Sequence, residues 1–399
     1  MESRYKFNRL ELAGSFGDMG TLLPIALGMI VFNGLSASGL FFTVGTFYIL
    51  SGIYYGVTVP VQPMKVIGAY ALASGLSASQ ITASAALMGI VLLVIGGSGA
   101  MTFIGRYIPK PVIRGVQTST GVLLVAQGVR FMAGTSGIQL MQKAAEPYLV
   151  IQNIGPVPIS VIIGIAAMFL SFYFLDNKKL PAGLIVILAG FIVGLILGTR
   201  KGFDSIEIGL YFPKFLPFGV PLVPDFTFAF LALALPQVPM TIGNAVIANA
   251  DLSKEYFGEK SGKVTYRSLC FSMGFANILS FLFGGMPLCH GAGGLAAHYR
   301  FGARTAGSNI MIGLIFVMLA VFLGVHALPV LNLIPMSVLG ALLIFAGTQL
   351  AITITDMKER EDIFVVMLML GITLASNLAV GFTVGIIITY ALKSEKFSV

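Results

Sequence analysis

The chain has 399 residues, of which 57% are hydrophobic and only 10% are charged, and its mean hydropathy is +0.94. Soluble domains carry about 25% charged residues, so this apolar excess is too large for the core of a soluble protein and must face lipid. A net charge of +8 would suggest nucleic acid as the partner of a soluble protein, but here the positive-inside bias of membrane proteins explains it, and no nucleic-acid partner is expected.

Apolar runs of about twenty residues mark segments that are long enough to cross a bilayer. Twelve such spans are predicted, at residues 10–33, 37–58, 80–104, 112–132, 157–175, 182–199, 226–249, 265–285, 306–327, 333–353, 362–377 and 378–394. Two further segments, 64–76 and 291–301, are too short to cross alone, and each is expected to follow an extended stretch. We therefore predict an all-α polytopic membrane protein of about fourteen spans, in which spans 3 and 10 are short half-helices.

The basic residues support this span count. With the N-terminus inside, 18 of the 24 Lys and Arg residues fall on the same side of the membrane. They are Arg4, Lys6, Arg9, Arg106, Lys110, Arg114, Lys178, Lys179, Lys254, Lys260, Lys263, Arg267, Arg300, Arg304, Lys358, Arg360, Lys393 and Lys396. Those that fall outside are Arg130, Lys143, Arg200, Lys201 and Lys214, and Lys65 lies within the membrane. Both termini are therefore expected to be cytoplasmic, in a cell inner (plasma) membrane protein without a cleavable signal peptide.

Each half of the chain contains one matching interruption. The stretch VPVQPMKVIGAYA at 59–71 corresponds to MPLCHGAGGLAAH at 286–298, since both have a proline, then polar or small residues, then a brief helix. Both are preceded by spans in which prolines are expected to break the helix, at 14–28 and 233–246. Paired interrupted segments in two halves are the strongest sequence indication of a transporter's binding site at the bilayer midplane.

The interrupted segments carry the charge that an anion site requires. Short helices that start near Met64 and Gly291 would direct unpaired N–H groups towards each other, with about half a positive charge at each start. Lys65 adds one further positive charge, and a cation within the membrane needs a partner. Together these groups approximately balance a dianion.

The neighbouring side chains are mostly hydrogen-bond donors or small residues. Gln62 and Gln237 offer amides, Thr241 offers a hydroxyl, and the glycines after His290 would let a ligand approach the backbone. A fully deprotonated oxyanion only accepts hydrogen bonds, so sulfate or molybdate fits better than phosphate, which would also want an acceptor. The predicted substrate-binding residues are Ser15, Thr21, Gln62, Met64, Lys65, Gln237, Cys289, His290, Gly291, Ala292 and Gly293.

Other roles remain open for the ionisable and amide residues. Lys65 could instead form an ion pair with Asp18, and Asp18 could be a proton-coupling carboxylate, the counter-ion of the lysine or a partner of cytoplasmic cations. His290 could carry the coupling proton or could hydrogen-bond to backbone at the helix start. Asn244 and Asn249 are expected to hold helices together rather than to contact the substrate.

No metal, cofactor or enzyme motif is expected. Cys289 and His290 are adjacent, but no further ligands occur at the spacing of a metal site, and Cys270 and Cys289 lack a CxxC spacing. The sequence contains no HExxH, no paired catalytic acids, no nucleophile elbow and no cofactor motif, so the chain is expected not to be an enzyme.

Three segments carry a resemblance to a known family. The stretches SFGDMGTLLPI at 15–25, PVQPMKVIGAYA at 60–71 and GGMPLCHGAGGLAAHYRFGAR at 284–304 resemble the molybdate transporter family related to SulP sulfate permeases. The resemblance implies a seven-plus-seven inverted-repeat fold like that of uracil permeases, with a core domain and a gate domain. It also implies high-affinity uptake of molybdate, with sulfate as the related competitor, and a homodimer through the gate domains.

On this fold, residues 1–200 would form the first inverted repeat, with spans 1–7, and residues 201–399 the second, with spans 8–14. The core domain is expected at 10–104 and 226–327, and the gate domain at 112–199 and 333–394. Typical SulP permeases add a C-terminal STAS domain, and none is expected after residue 396.

The sequence therefore predicts a secondary-active, alternating-access importer of a tetrahedral oxyanion, with molybdate assigned first and sulfate or tungstate not distinguished from it. Import of a dianion against an inside-negative potential needs a coupling ion, and we expect protons carried by Asp18 or His290. An anion exchanger or channel of the SulP superfamily remains an alternative. A nucleobase permease on the same fold would need a carboxylate in span 8 to accept ligand N–H groups, and only Asp225, at the edge of that span, is acidic.

Overall fold

The computed structural model describes residues 4–99, 108–175, 177, 181–199, 206 and 209–393. Six of the cations used above to assign orientation lie outside these residues, namely Arg106, Lys178, Lys179, Arg200, Lys201 and Lys396. The ends of the predicted spans 80–104 and 378–394 lie outside them too.

The described chain is mostly helical. The helices of the first half are α1 (Arg9–Ser15), α2 (Met19–Val31), α3 (Ala37–Tyr55), α4 (Lys65–Ser74), α5 (Ala78–Ser98), α6 (Lys110–Ala133), α7 (Gly137–Gln142), α8 (Ile159–Phe174) and α9 (Ala182–Leu197). Those of the second half are α10 (Val223–Phe228), α11 (Leu235–Met240), α12 (Ala248–Phe257), α13 (Tyr266–Phe283), α14 (Ala292–Arg300), α15 (Ala306–Met318), α16 (Ala327–Leu331), α17 (Met336–Ala351), α18 (Arg360–Ala375) and α19 (Leu378–Leu392). The extended pieces are β1 (Gln62–Pro63), β2 (Asn153–Ile154), β3 (Val157–Pro158) and β4 (Leu288–Cys289).

The lengths and outer surfaces of the helices are those of a multi-pass membrane protein. Among the described residues, six helical segments are long and apolar enough to cross a bilayer, or seven if the bent pair Arg9–Ser15 and Met19–Val31 is one span. Large apolar side chains lie exposed on the helix surfaces, among them Phe169 at 71% and Ile196 at 73% exposure. Such residues are expected to face lipid, while the total of fourteen spans stays a prediction.

Local sequence fixes several helix ends. Helix α3 begins after Ser36, whose hydroxyl accepts a hydrogen bond from the Gly39 amide at 3.1 Å. It ends at Gly56, which has a φ of 77°, a left-handed conformation that favours glycine. The start of α17 is held by Glu146, whose carboxylate accepts the amides of Met336 and Ser337 at 2.9 and 2.8 Å.

The first span does not break at its proline. Pro24 lies inside α2, and the helix is interrupted earlier, at Phe16–Asp18, where α1 and α2 meet at an angle of 47°. A methyl group added at Gly17 would lie 2.7 Å from the Ala297 carbonyl oxygen of α14. The backbone of α14 therefore packs closely against the interruption, where only glycine fits. Membrane helices tolerate proline when neighbouring groups satisfy the backbone, and this explains why the predicted position was wrong.

The prolines of residues 233–246 also leave the chain helical. Helix α11, which contains Pro236 and Pro239, lies between two π-helical segments, Ala229–Ala234 and Thr241–Ile247. A π turn changes the hydrogen-bond register by one residue, so the chain passes the prolines without leaving the helix. The helix is therefore locally widened here and is not broken as expected. Such π-helical segments are common at functional sites.

The two half-helices occur at the predicted residues and meet each other. Helix α4 starts immediately after Met64, and α14 starts immediately after Gly291. The extended pieces that precede them pair antiparallel, with Gln62 opposite Cys289. This pairing brings both helix starts together inside the protein.

Packing divides most helices into two groups. Helix α3 packs on α15 and α5 packs on α13, whereas α6 packs on α17, α18 and α8. The α6–α17 contact is close because glycines face backbone, as at Gly121 and Gly128, where an added methyl group would lie 2.5 Å from the carbonyl oxygens of Gly347 and Gly340. Helix α4 packs on α6, so the first half-helix lies where the two groups meet.

Candidate functional site

A small closed cavity lies where the two helix starts meet the π-helical segment. It is lined by Gln62, Lys65, Gln237, Met240, Thr241, Asn244, Ala245 and Cys289. Its volume is about 10 Å³. One water needs about 10–15 Å³ by this measure, so the site as described is closed to an oxyanion.

Buried polar groups without a partner among the described residues lie in this cavity and beside it. Both amide atoms of Gln62 and the Oδ2 oxygen of Asp18 are buried and make no hydrogen bond with the described residues. Gln62 is 1% exposed and Asp18 is 4% exposed. An unsatisfied polar group in a protein interior typically costs about 1–3 kcal/mol, so such a cluster indicates a ligand or water site.

Gln237 occupies the donors at the start of α4. Its Oε1 oxygen accepts the Val66 amide at 3.0 Å and the Ile67 amide at 3.3 Å, and its Nε2 donates to the Thr241 hydroxyl at 2.9 Å. The N–H groups that the sequence assigned to an anion are thus bound by a neutral side-chain oxygen. An oxyanion can reach them only after that oxygen moves.

Lys65 borders two cavities. Besides the closed cavity it lines a second one of about 80 Å³, together with Gly20, Thr21, Ile25, Leu124, Phe345, Ala346, Gln349 and Leu350. This second cavity lies between α2 and α4 on one side and α6 and α17 on the other. Lys65 and Asp18 do not form an ion pair within 4.0 Å in this part of the chain. The lysine is therefore available to a ligand that enters from the junction of the two helix groups.

The second half-helix turns glycine towards these groups. A methyl group added at Gly294 would lie 2.6 Å from Asp18 Oδ2 and 2.9 Å from Gln62 Nε2, and one added at Gly291 would overlap Gln62 Oε1. Gly293 lies on the other face, where no atom of the described residues stands within 4 Å of an added methyl group. Of these glycines, Gly291 and Gly294 lie against the site and Gly293 does not.

His290 lies behind the cavity in a chain of hydrogen bonds. Its Nδ1 donates to the Pro60 carbonyl at 2.7 Å, and its Nε2 lies 3.0 Å from the Ser272 hydroxyl, which lies 2.8 Å from the Tyr55 hydroxyl. The imidazole also packs against Phe47, with ring centroids 4.4 Å apart. His290 thus holds the two interrupted segments together, which is the second of the roles that the sequence left open.

The remaining predicted residues are distributed around the half-helices. The Ser15 hydroxyl donates to Leu12 within its own helix at 2.7 Å, and the Met64 amide donates to Pro287 at 2.9 Å. Cys289 lines the closed cavity, with its sulfur 3.7 Å from the Pro63 carbonyl oxygen. Ala292 is the first residue of α14. No cluster of metal-ligating side chains occurs within the described ranges.

Asn244 lines the cavity although the sequence assigned it to helix contacts. Gln237, Thr241 and Asn244 are spaced i, i+4, i+7, which places all three on one helical face. That spacing is the signal that could have identified Asn244. Asn249 has a structural contact, as predicted, but with a non-helical segment: its amide donates to the His290 carbonyl at 2.8 Å and ties α12 to the extended stretch before α14.

Comparison with known proteins gives one family and a related fold. The family model described as "Molybdate transporter of MFS superfamily" matches residues 10–124 and 229–350. Molybdate transporter 2 of Arabidopsis thaliana is 30% identical and the match covers 96% of this chain and 87% of that protein. The putative sulfate transporter YvdB of Bacillus subtilis is 20% identical over 79% of this chain and 59% of that protein.

A solved structure with the same fold is the transmembrane domain of a cyanobacterium bicarbonate transporter, BicA. It is 17% identical, with a TM-score of 0.65, and the match covers 95% of this chain and 96% of that one. This likeness concerns the fold alone.

Proposed function

Because the chain belongs to the family of molybdate transporters, we propose that it carries a tetrahedral oxyanion, molybdate in the first assignment, by alternating access. Its relatives are transporters, and the chain is a transmembrane anion transporter rather than an enzyme. The observation that carries the proposal is Lys65 at the start of a buried half-helix, beside the Gln62 amide that has no partner among the described residues.

The charge of the site favours an oxyanion over other ligands. Two helix starts supply roughly one positive charge in total, and the Lys65 ammonium adds another. The amides of Gln62 and Asn244 provide neutral donors that can hydrogen-bond to an oxygen without adding charge. A tetrahedral dianion meets both conditions, whereas a cation would be repelled.

The closed cavity supports a transport cycle with moving domains. Admission of an oxyanion requires Gln237 to release Val66 and Ile67, and requires α4 to separate from its gate-side neighbours. We assign the core to 10–104 and 226–327 and the gate to 112–199 and 333–394, because the helix groups pack in that division. The core would then carry the site past the gate as a rigid body.

Proton coupling completes the proposal. Import of a dianion against an inside-negative potential costs about 2.3 kcal/mol per charge for each 100 mV, so a dianion needs about twice that amount from a coupling ion. Asp18 is the preferred proton carrier, because its Oδ2 is buried and unpaired next to Gln62 and Gly294. His290 is the second candidate, although both of its ring nitrogens already have partners.

Transport in proteoliposomes tests this proposal. Molybdate uptake should accelerate when the outside is made acidic at constant membrane potential, and an Asp18→Asn variant should lose that acceleration. Uptake that ignores the imposed pH gradient would remove proton coupling and leave the oxyanion assignment standing. Absence of any molybdate binding in calorimetry would remove the oxyanion assignment itself.

The second candidate function is anion exchange or conduction. It is favoured by the sulfate-transporter name of one relative and by the fold shared with a bicarbonate transporter. Currents that rise linearly with chloride and never saturate would identify a channel. Calorimetric titration with molybdate, sulfate, tungstate and uracil would rank the substrates, and strong uracil binding would contradict both candidate functions.

We also assign both termini to the cytoplasmic side of the plasma membrane, and we infer that the protein forms a homodimer through its gate domains. The orientation follows from the excess of cations on one side. A Lys358→Cys variant should react with a membrane-impermeant maleimide only in inverted vesicles, whereas Lys214→Cys should react in intact cells. Chemical crosslinking of the reconstituted protein through gate-domain positions would test the dimer.

A further inference from the structure

A large basic cavity lies between the N-terminal segment, the C-terminal end of α3 and the connection from α12 to α13. Its volume is about 670 Å³, within the range of pockets that hold small molecules. Its charged lining residues are Arg4, Lys6, Glu259, Lys260, Lys263 and Arg304. Five cations against one carboxylate would favour a negatively charged ligand in this cavity.

An apolar groove lies beside this cavity, between α3 and α13. Its volume is about 420 Å³, and it is lined almost wholly by hydrophobic side chains that include Phe47, Leu50, Phe275, Leu279 and Leu282. Leu50 and Phe275 are exposed at 57% and 64%, so the groove opens on the surface that faces lipid. A groove with such a lining accepts a hydrocarbon chain.

The cavity and the groove adjoin each other at the C-terminal end of α3. Tyr55 lines both of them. The Lys263 ammonium lies over the ring of Tyr54, which also lines the groove, at 5.6 Å from the ring centre. The Arg4 guanidinium donates to the carbonyl oxygens of Ile53 and Tyr54. Cations therefore stand at the mouth of the groove.

We infer that this composite site binds an anionic phospholipid, with the phosphate headgroup among Arg4, Lys260 and Lys263 and an acyl chain in the groove. Basic pockets at the cytoplasmic ends of membrane helices attract anionic headgroups. A soluble anion would make no contact with the apolar groove, and a neutral lipid would gain no net attraction from the five cations. The inference does not depend on which substrate is transported, and its assignment to the cytoplasmic leaflet rests on the proposed orientation.

The occupied site would act on the half-helix of the second repeat. The Tyr55 hydroxyl lies 2.8 Å from Ser272, and Ser272 lies 3.0 Å from His290, which precedes the start of α14. A lipid packed on Tyr55 would fix the end of this hydrogen-bonded chain. We therefore expect the transport rate to depend on the anionic lipid content of the membrane.

Native mass spectrometry of the full-length protein tests the inference. In detergent with equal phosphatidylglycerol and phosphatidylcholine, the wild type should retain phosphatidylglycerol preferentially. The double variant Lys260→Gln/Lys263→Gln should lower apparent affinity by about tenfold or more, because each cation near a phosphate contributes about a factor of five. The matched control is Lys358→Gln, which removes an exposed cation outside the cavity and should leave retention unchanged.

The groove needs its own variant. Leu279→Trp should fill the groove and lower retention of phosphatidylglycerol, while Phe169→Trp, on another lipid-facing surface, should not. Glycerophosphoglycerol, the soluble headgroup, should bind at least tenfold more weakly than the intact lipid. Equal binding of the soluble headgroup, no effect of Leu279→Trp, or the same loss from Lys358→Gln as from the double variant would each overturn the inference.

Discussion

The side-chain oxygen of Gln237 accepts a hydrogen bond from the backbone amide of Val66 at 3.0 Å. The same oxygen accepts the Ile67 amide, so one side chain occupies the donors of the second and third residues of α4. These donors lie beside Lys65, where the proposed substrate would bind. Under the proposed function, Gln237 Oε1 would occupy the place of an anion oxygen in the closed site and would have to release these amides when substrate enters.

A permanent negative charge at this position should compete with the substrate. In Gln237→Glu the carboxylate can accept the same two amides through stronger, charge-assisted bonds and can neutralise Lys65. We expect molybdate affinity in calorimetry to fall by about tenfold or more, which corresponds to about 1.4 kcal/mol. Gln80→Glu is the matched control, because it adds the same charge at the surface, within a capping box that suits glutamate. Unchanged affinity in Gln237→Glu would contradict the placement of the anion at α4.

Removal of the lysine should weaken oxyanion binding without unfolding the protein. Lys65 lines both cavities of the site, and it forms no ion pair with Asp18 that its loss would break. Lys65→Ala should lower molybdate affinity by about tenfold, or about 1.4 kcal/mol, with a thermal unfolding midpoint close to that of the wild type. Lys65→Arg should retain part of the affinity because it keeps the charge. If Lys65→Ala binds molybdate as well as the wild type, the site assignment fails.

Alanine substitutions at two adjacent glycines should have opposite effects on transport. Gly294→Ala places that group 2.6 Å from Asp18 Oδ2 and 2.8 Å from Pro60 Cβ, so the contact between the two interrupted segments must open. In Gly293→Ala the added methyl group meets no atom within 4 Å in the part of the chain that the structure describes. We expect Gly294→Ala to abolish molybdate uptake and Gly293→Ala to preserve it, as measured in proteoliposomes at equal protein content. Equal activity of the two variants would show that α14 does not close on Asp18 and Gln62.

The half-helices and the family could be predicted from the sequence because short local motifs carry both. The prolines and small residues of 59–71 and 286–298 predicted the half-helices, and α4 and α14 start directly after Met64 and Gly291, as expected. These starts are predictable because a proline-containing extended stretch before a brief apolar run leaves few other conformations. The family assignment from the same motifs is confirmed.

Contacts made by distant segments were not predictable in the same way. Pro24, Pro236 and Pro239 suggested helix breaks, but neighbouring helices and π turns absorb them, and a single sequence does not reveal this tertiary compensation. The hydrogen bond that the Val66 amide donates to Gln237 Oε1 joins residues 171 positions apart, so no local pattern encodes it. Asn244 was missed because an amide suits a helix contact and a ligand contact equally well.

A buried carboxylate outside the spanning helices should make stability depend on pH. Glu146, in the loop between α7 and β2, accepts the first amides of α17, and burial raises its pKa to about 7, an effect that hydrogen bonds from Ser337 and Met336 partly offset. The folded state therefore holds this proton to higher pH than the unfolded state, whose ordinary value is 4.5. Its contribution is complete below about pH 4.5 and is lost as pH rises through about 7, a change of about 3 kcal/mol.

The side chain in Glu146→Gln is neutral at every pH, so this variant should not lose stability as pH rises. It should be less stable than the protonated wild type by a constant amount, because the amide has one acceptor oxygen and cannot accept both helix-start amides as the carboxyl group does. Its thermal unfolding midpoint, measured in detergent between pH 5 and 8, should lie below that of the wild type at pH 5, and the gap should narrow as pH rises. Glu361→Gln, which changes an exposed acid in the first turn of α18, is the control and should keep the slope of the wild type. A gap that stays constant with pH would mean that Glu146 is already ionised throughout this range, as an acceptor of two helix-start amides can be.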